Sequence, residues 1–242
     1  QQGCTHVAME SNGVYWVPVY AVLEEHSGFD LIVSNARHVR ALPGRKTDVK
    51  DSEWLAQLLR HGLLPRSFVP PQPIRDLRVL TRYRKSLVEM RTAERNRILK
   101  LLETANIKLS SVASNVFGVS GMAMLTALAG GCTNAEVLAK HAKGALKNKL
   151  LELEAALEGA VTNAHRFALR SMLDMLSKLE EQMLTIERQI DEMLQPYEAE
   201  VALLDEMPGV NRNVAAAIIA ELGVYMSVFQ TSRRCAAWAG VC

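Results

Sequence analysis

"THVAMESNGVYWVPVYAVLEEHSGFDLIVSN" (residues 5–35) reads as strand, helix, strand. "THVAM" is a short apolar run, and "FDLIVSN" is a continuous apolar run of the kind found in buried strands. Between them "ESNGVYWVPVYAVLEEHS" is a helix entry followed by a periodic segment, in which Pro18 is acceptable only near the first turn. A helix between two such strands implies a parallel pair, because parallel strands need a long crossover. The expected class for this part is therefore an α/β layer.

Moving outward, "ARHVRAL" is a short helix or turn, and "GRKTDVKDSEWLAQLLRHG" (residues 44–62) becomes an amphipathic helix from about Asp48 to His61. Gly62 and Pro65 end it, and "LLPRSFVPPQP" is a proline-rich connector. Asp48 and Asp51 lie three residues apart at the helix entry, so their Cβ atoms fall on one side, roughly 5–6 Å apart. Two readings fit. Asp48 is a good N-cap with Asp51 in a capping-box-like position, and both suit the positive helix end. Alternatively, two carboxylates on one turn can hold a hard cation such as Mg²⁺, which prefers oxygen ligands. Arg45, Lys46 and Lys50 then receive a phosphate backbone, a role that capping does not require. Glu10 follows the "THVAM" run, where the C-terminal end of a strand meets a helix start. Sites in α/β sheets are built at that edge, although a helix cap is again the plainer use. A strand-end Glu with an Asp-x-x-Asp helix entry is the layout of a ribonuclease-H-like nuclease.

From Ile74 the pattern is helical for a long way. Leu77, Leu80, Leu87, Met90, Ile98 and Leu101 recur at helical spacing, while Arg75, Arg78, Arg82, Arg84, Lys85, Arg91, Arg95, Arg97 and Lys100 fill the other faces. That local cationic excess makes Arg82, Arg84, Lys85, Arg91 and Arg95 candidates for a nucleic-acid backbone; a solvated helix face is the alternative. A Gly/Ser-containing stretch (residues 110–131) interrupts the run, and "GMAMLTALAGG" within it reads as a short buried helix. "NAEVLAKHAKGALKNKLLELEAALEGAV" follows, with Gly144 and Gly159 as weak points. A helix then runs from about Asn163 to Gln195, stopped by Pro196. Leu169, Met172, Leu176, Leu179, Met183, Ile186, Ile190, Met193 and Tyr197 alternate by three and four along it, a heptad seam whose partner is internal or a second subunit. Near the end, Pro208-Gly209-Val210 is a tight turn before a small-residue helix (residues 213–222) closed by Gly223. Such a helix-hairpin-helix-like turn can grip phosphate with exposed amides, which makes Gly209 and Arg212 candidates for nucleic-acid contact.

Composition agrees with a helix-rich chain. The 242 residues are 49% hydrophobic but only 5% aromatic, which disfavours an all-β sandwich. Net charge is +2, so the distribution of charge carries more information than its total. Cys4, Cys132, Cys235 and Cys242 are scattered without a CxxC pair, which argues against a zinc ribbon or disulfide scaffold and for a reducing compartment. No apolar run of about 18 residues is present to cross a bilayer. A cytoplasmic location and no membrane partner are expected. The first residue is Gln1 rather than Met, Thr5 to Met9 reads as a strand already deep inside a domain, and the last residues, "CAAWAGVC", form an apolar stretch without a polar close, so a fragment truncated at both ends is expected.

Three segments taken together carry a family resemblance. "MESNGVYW", "NARHVRALPGRKTDVKDSEWLAQLLRHGLL" and "MPGVNRNVAAAIIAELG", the last followed by Phe229 and "WAGVC", resemble the DEDD transposases of the insertion-sequence-110 family. The resemblance implies α/β plus all-α architecture. An incomplete RuvC-like (ribonuclease-H-type) DEDD catalytic domain spans residues 1–70 and a basic helical region 71–135. Coiled-coil helices span 136–200, and a partial C-terminal transposase domain with the helix-hairpin-helix-like turn covers 201–242. It implies a prokaryotic, DNA-associated recombinase that cuts and rejoins DNA with Mg²⁺, guided to its target by a bridge RNA and dimerised through the coiled coil. By the same resemblance Glu10, Asp48 and Asp51 are the second, third and fourth acids of the tetrad. The first acid would precede residue 1, and the serine nucleophile would follow the Trp238-Ala239-Gly240 motif, so Ser227 and Ser232 are not in its place. The chain by itself is then expected to be inactive in strand transfer. The competing expectations are a RuvC-like junction-resolving nuclease and a catalytically dead, nucleic-acid-binding, dimerising remnant.

Overall fold

The computed structural model of the protein describes residues 3–26, 28–36, 39 and 48–239, with residues 48–50 given as helical backbone only. The chain divides into two compact units, Gln1–Pro71 with Tyr225–Cys242, and Gln72–Val224. Each is described by itself.

In the first unit, β1 (His6–Glu10) and β2 (Asp30–Ser34) pair in parallel, with His6 opposite Asp30 and Glu10 opposite Ser34. Helix α1 (Trp16–Glu25) is the crossover, with Pro18 in its first turn, where no intrahelical N–H bond is lost. Ile32, Val33 and Ser34 are buried, as the apolar run requires. Helix α2 (Asp48–Arg60) packs against β1 and buries Leu58. It stops in a paired-bond C-cap: Gly62 takes φ +68° and donates to the Leu59 carbonyl, and Leu63 N–H donates to that of Leu58 at 2.9 Å. Beyond the cap the proline-rich connector runs beside β2, where Ser67 N–H donates to the Val33 carbonyl at 2.7 Å. The "ARHVRAL" segment falls largely outside the described residues.

The second unit is helical: α3 (Gln72–Thr104), α4 (Leu109–Val112), α5 (Val119–Ala129), α6 (Ala135–Ala139), α7 (Leu150–Leu157), α8 (Asn163–Leu194), α9 (Glu198–Asp205) and α10 (Arg212–Leu222). Its spine is the antiparallel pair of α3 and α8. Ile74 and Leu77 share a core with Ile190 and Leu194, Leu87 meets Leu179 and Met183, and Ile98 and Leu102 join Leu169 and Leu176. The heptad seam of α8 therefore has an internal partner, since its buried positions face α3 of the same chain. Each such leucine removed from water contributes about 1.5–3 kcal/mol, so the seam is the main stabilising contact of the unit. Thr162 opens α8 through a reciprocal capping box with His165, and α8 ends one residue before a 3-10 turn containing Pro196. The short helices α4 to α7 cover one end of the pair, and α9 with α10 cover the other. Between α9 and α10, Gly209 at φ +87° and the Val210 N–H bond to the Met207 carbonyl form a turn that needs glycine at that position.

After α10 the chain returns to the first unit. Phe229, in the 3-10 turn Met226–Phe229, and Trp238, in α11 (Ser232–Ala239), close on Phe68 of the connector. Ring centroids lie 5.8 Å apart for Phe68–Phe229, 5.5 Å for Phe229–Trp238 and 6.4 Å for Phe68–Trp238. Aromatic rings at such spacings and angles attract beyond their buried area.

Candidate metal site and basic helix

Glu10 is the last residue of β1, and the backbone turns away directly after it: Ser11 N–H donates to the Ser34 carbonyl at 2.9 Å and Asn12 N–H to that of Glu10 at 2.8 Å. The acid thus sits at the C-terminal edge of a parallel sheet. Helix α2 begins at Asp48, and its first turn carries both Asp48 and Asp51. Because α2 packs on β1, the strand carrying Glu10 and the helix carrying the two aspartates are neighbours within one unit. Asp51 is partly buried; the side chains of Asp48 and Lys50 are outside the described residues, as are Arg45 and Lys46 entirely. Among the described residues no three His, Cys, Asp or Glu side chains cluster as a metal site.

Carboxylates such as Glu10 supply oxygen only, the donor type a hard cation takes. Ser34, opposite Glu10 and wholly buried, holds a hydroxyl there with no hydrogen-bond partner among the described residues. At the other end of the strands, Arg66 donates to Asp30 at 2.7 Å and His6 Nε2 lies 3.6 Å from the same carboxylate. The Arg66 hydrogen bond holds the Asp30 carboxyl below its ordinary range. That acid is engaged structurally. A cleft of about 840 Å³ in the same unit is lined by Asn35, Arg66, Phe68, Phe229, Arg234 and Trp238, among others.

The cations of α3 have particular addresses. Arg82 makes a two-pronged bond to Glu221 of α10, at 2.8 and 2.9 Å, and Arg78 donates to the carbonyls of Ala220 and Glu221. Arg84 bonds Glu187 of α8 at 2.8 Å. Arg95 bonds Glu180 of α8 at 3.0 Å, with its guanidinium 5.2 Å from the Phe117 ring centroid. Lys85 faces Glu89 loosely, at 3.9 Å with both side chains exposed. The Nε of Arg91 is buried without a partner among the described residues. The local excess seen along one helix is thus balanced largely by acids on α8 and α10. In the hairpin, Gly209 shapes the turn, while Arg212 bonds Asp191 at 2.6 Å and Glu198 at 2.6 and 3.0 Å. These bonds raise Arg212 further above its already high pKa and hold the Glu198 carboxyl below its usual value.

Residues 1–107 match a family model for DEDD transposases of the IS110 type, described as Transposase, and residues 201–242 match the model described as Transposase IS116/IS110/IS902 family. The chain belongs to the IS110 family of transposases. No curated protein matches it. As a transposase it binds DNA, and DEDD transposases use divalent metal ions. The first match holds Glu10, Asp48 and Asp51, and the second holds the Gly209 turn and Trp238. No helix among the described residues is long and apolar enough to cross a membrane.

Sequence reasoning did not single out Ser34, the aromatic cluster around Phe68, or the acids that neutralise α3. Ser34 was visible only as the last residue of an apolar run, and its place beside Glu10 depends on strand register.

Proposed function

We propose that the transposase cuts and rejoins DNA at the Glu10 edge of the β1–β2 sheet, with Asp48 and Asp51 completing the acid set on this chain. The supporting observation is the packing of α2 on β1, which brings two acidic elements far apart in sequence into one unit. Mg²⁺ is the ion this oxygen-only donor set suits, and when bound it would polarise a phosphoryl oxygen and stabilise the leaving oxygen. The protein's own residues hold and aim the DNA. Arg45, Lys46 and Lys50 flank the aspartates in sequence and contact the phosphates next to the scissile one. On α3, Lys85 and Arg91 give backbone contacts, and Arg82, two-thirds exposed, can share its guanidinium between Glu221 and a phosphate.

Target choice by a bridge RNA, and pairing of two protomers, complete this reading; both rest on the family resemblance. Because the α8 seam faces α3, pairing through these helices uses the faces left open, where Met175 and Leu184 are exposed.

A transposition assay in bacterial cells, with the changes placed in a gene that carries this sequence together with the first acid and the serine nucleophile, tests the catalytic reading. Glu10→Gln, Asp48→Asn and Asp51→Asn should each lower excision of a marked element at least about 100-fold at equal soluble protein, since each removes a charge that the reaction centre uses. Wild-type excision by all three variants would contradict it.

A further inference from the structure

We infer that Ser34 is a positioning residue for the Glu10 carboxylate, its hydroxyl donating to that carboxylate when the carboxylate engages a divalent cation. The inference rests on the metal-site reading of Glu10 and adds a residue to it.

Three observations on this edge lead there. Ser34 pairs in parallel register with Glu10, so the two side chains leave the sheet on the same face. Adjacent strands lie about 4.8 Å apart, within reach of a serine hydroxyl on one strand for a carboxylate folding across from the other. Ser34 is fully buried, and its Oγ has no hydrogen-bond partner among the described residues. A buried hydroxyl without a partner costs stability, whereas alanine would pack there without that penalty. Among the described residues the hydroxyl therefore contributes no hydrogen bond to the metal-free fold. A carboxylate that ligates a metal needs hydrogen bonds to fix its orientation, and loss of such supporting partners lowers metal affinity. Ser34 is the donor that the register places beside Glu10.

This assignment makes the two effects of removing the hydroxyl opposite in sign. In the metal-free chain Ser34→Ala should leave the melting temperature unchanged or raise it by a few degrees. The dissociation constant for Mn²⁺, read by electron paramagnetic resonance titration of the metal alone, should rise about tenfold. Ser34→Thr, which keeps the hydroxyl, should restore affinity to within about threefold of wild type. Glu10→Gln is run beside them. If Glu10→Gln weakens Mn²⁺ binding and Ser34→Ala does not, the Ser34 role is overturned while the site stands. If Glu10→Gln leaves affinity unchanged, the site reading fails and the Ser34 role fails with it. A lower melting temperature in Ser34→Ala, with unaltered Mn²⁺ affinity, would mark the hydroxyl as a packing element and overturn the proposal.

Discussion

Arg84 of α3 donates from Nε to Glu187 of α8 at 2.8 Å, a half-buried bond across the antiparallel pair that forms the spine of the helical unit. Arg84 precedes Leu87 of the Leu87–Leu179–Met183 cluster by three residues, so the bond and the cluster join the same pair of helices. Hydrogen bonds to charged groups contribute about 1.5–3 kcal/mol where water is restricted. Glu187→Gln and Arg84→Gln should each destabilise the unit by roughly 1–3 kcal/mol in urea unfolding. The double variant should lose less than the sum. Strict additivity would show that the pair makes no coupled contribution.

The Arg212–Glu198 pair should add to the acid sensitivity of the helical unit. Its bonds hold the Glu198 carboxyl below the ordinary value of 4.5, so Glu198 binds its proton less readily folded than unfolded. The stabilisation is therefore present above pH 4.5 and disappears as pH falls through the lower folded value. Melting temperatures recorded between pH 7 and pH 3 should fall more steeply for wild type than for Arg212→Met. Parallel curves would remove Glu198 from the account.

Salt dependence separates structural arginines from those that meet DNA. On duplex DNA each phosphate contact contributes about 0.9 to the log–log slope of affinity against salt. Lys85→Gln with Arg91→Gln should flatten the slope by up to twice that, with little loss of fold. Arg84→Gln and Arg95→Gln should lower thermal stability and leave the slope nearly unchanged, because Glu187 and Glu180 already hold those guanidiniums. The opposite pattern would place the DNA contact on the paired arginines.

Local patterns were readable where local physics decides the outcome. The β1–α1–β2 crossover followed from two apolar runs around a periodic segment, and Gly62, Gly209 and Pro196 marked ends and turns that their backbone geometry imposes. The seam of α8 was visible as a period, but its partner was not, since periodicity records which face is buried and not what covers it. Charge was harder to read for a related reason. Arg82, Arg84 and Arg95 crowd α3 in sequence, whereas Glu221, Glu187 and Glu180 arrive from residues about 85 to 140 positions away. Counting along one helix therefore overstates its free charge. Chain order likewise hid the return of Phe229 and Trp238 to Phe68, because that contact joins segments separated by the whole helical unit. For the acids, spacing identified Asp48 and Asp51 as helix-entry residues, and only register could set Ser34 opposite Glu10.

The most direct test of the acidic edge is divalent-ion binding by the 242-residue chain itself, followed by calorimetric titration with Mg²⁺ and Mn²⁺. Saturable binding in wild type should weaken at least about tenfold in Glu10→Gln and again in Asp51→Asn, with helical content retained in both, as expected when a ligating carboxylate is lost. Equal affinity in wild type and in both variants would contradict a shared site.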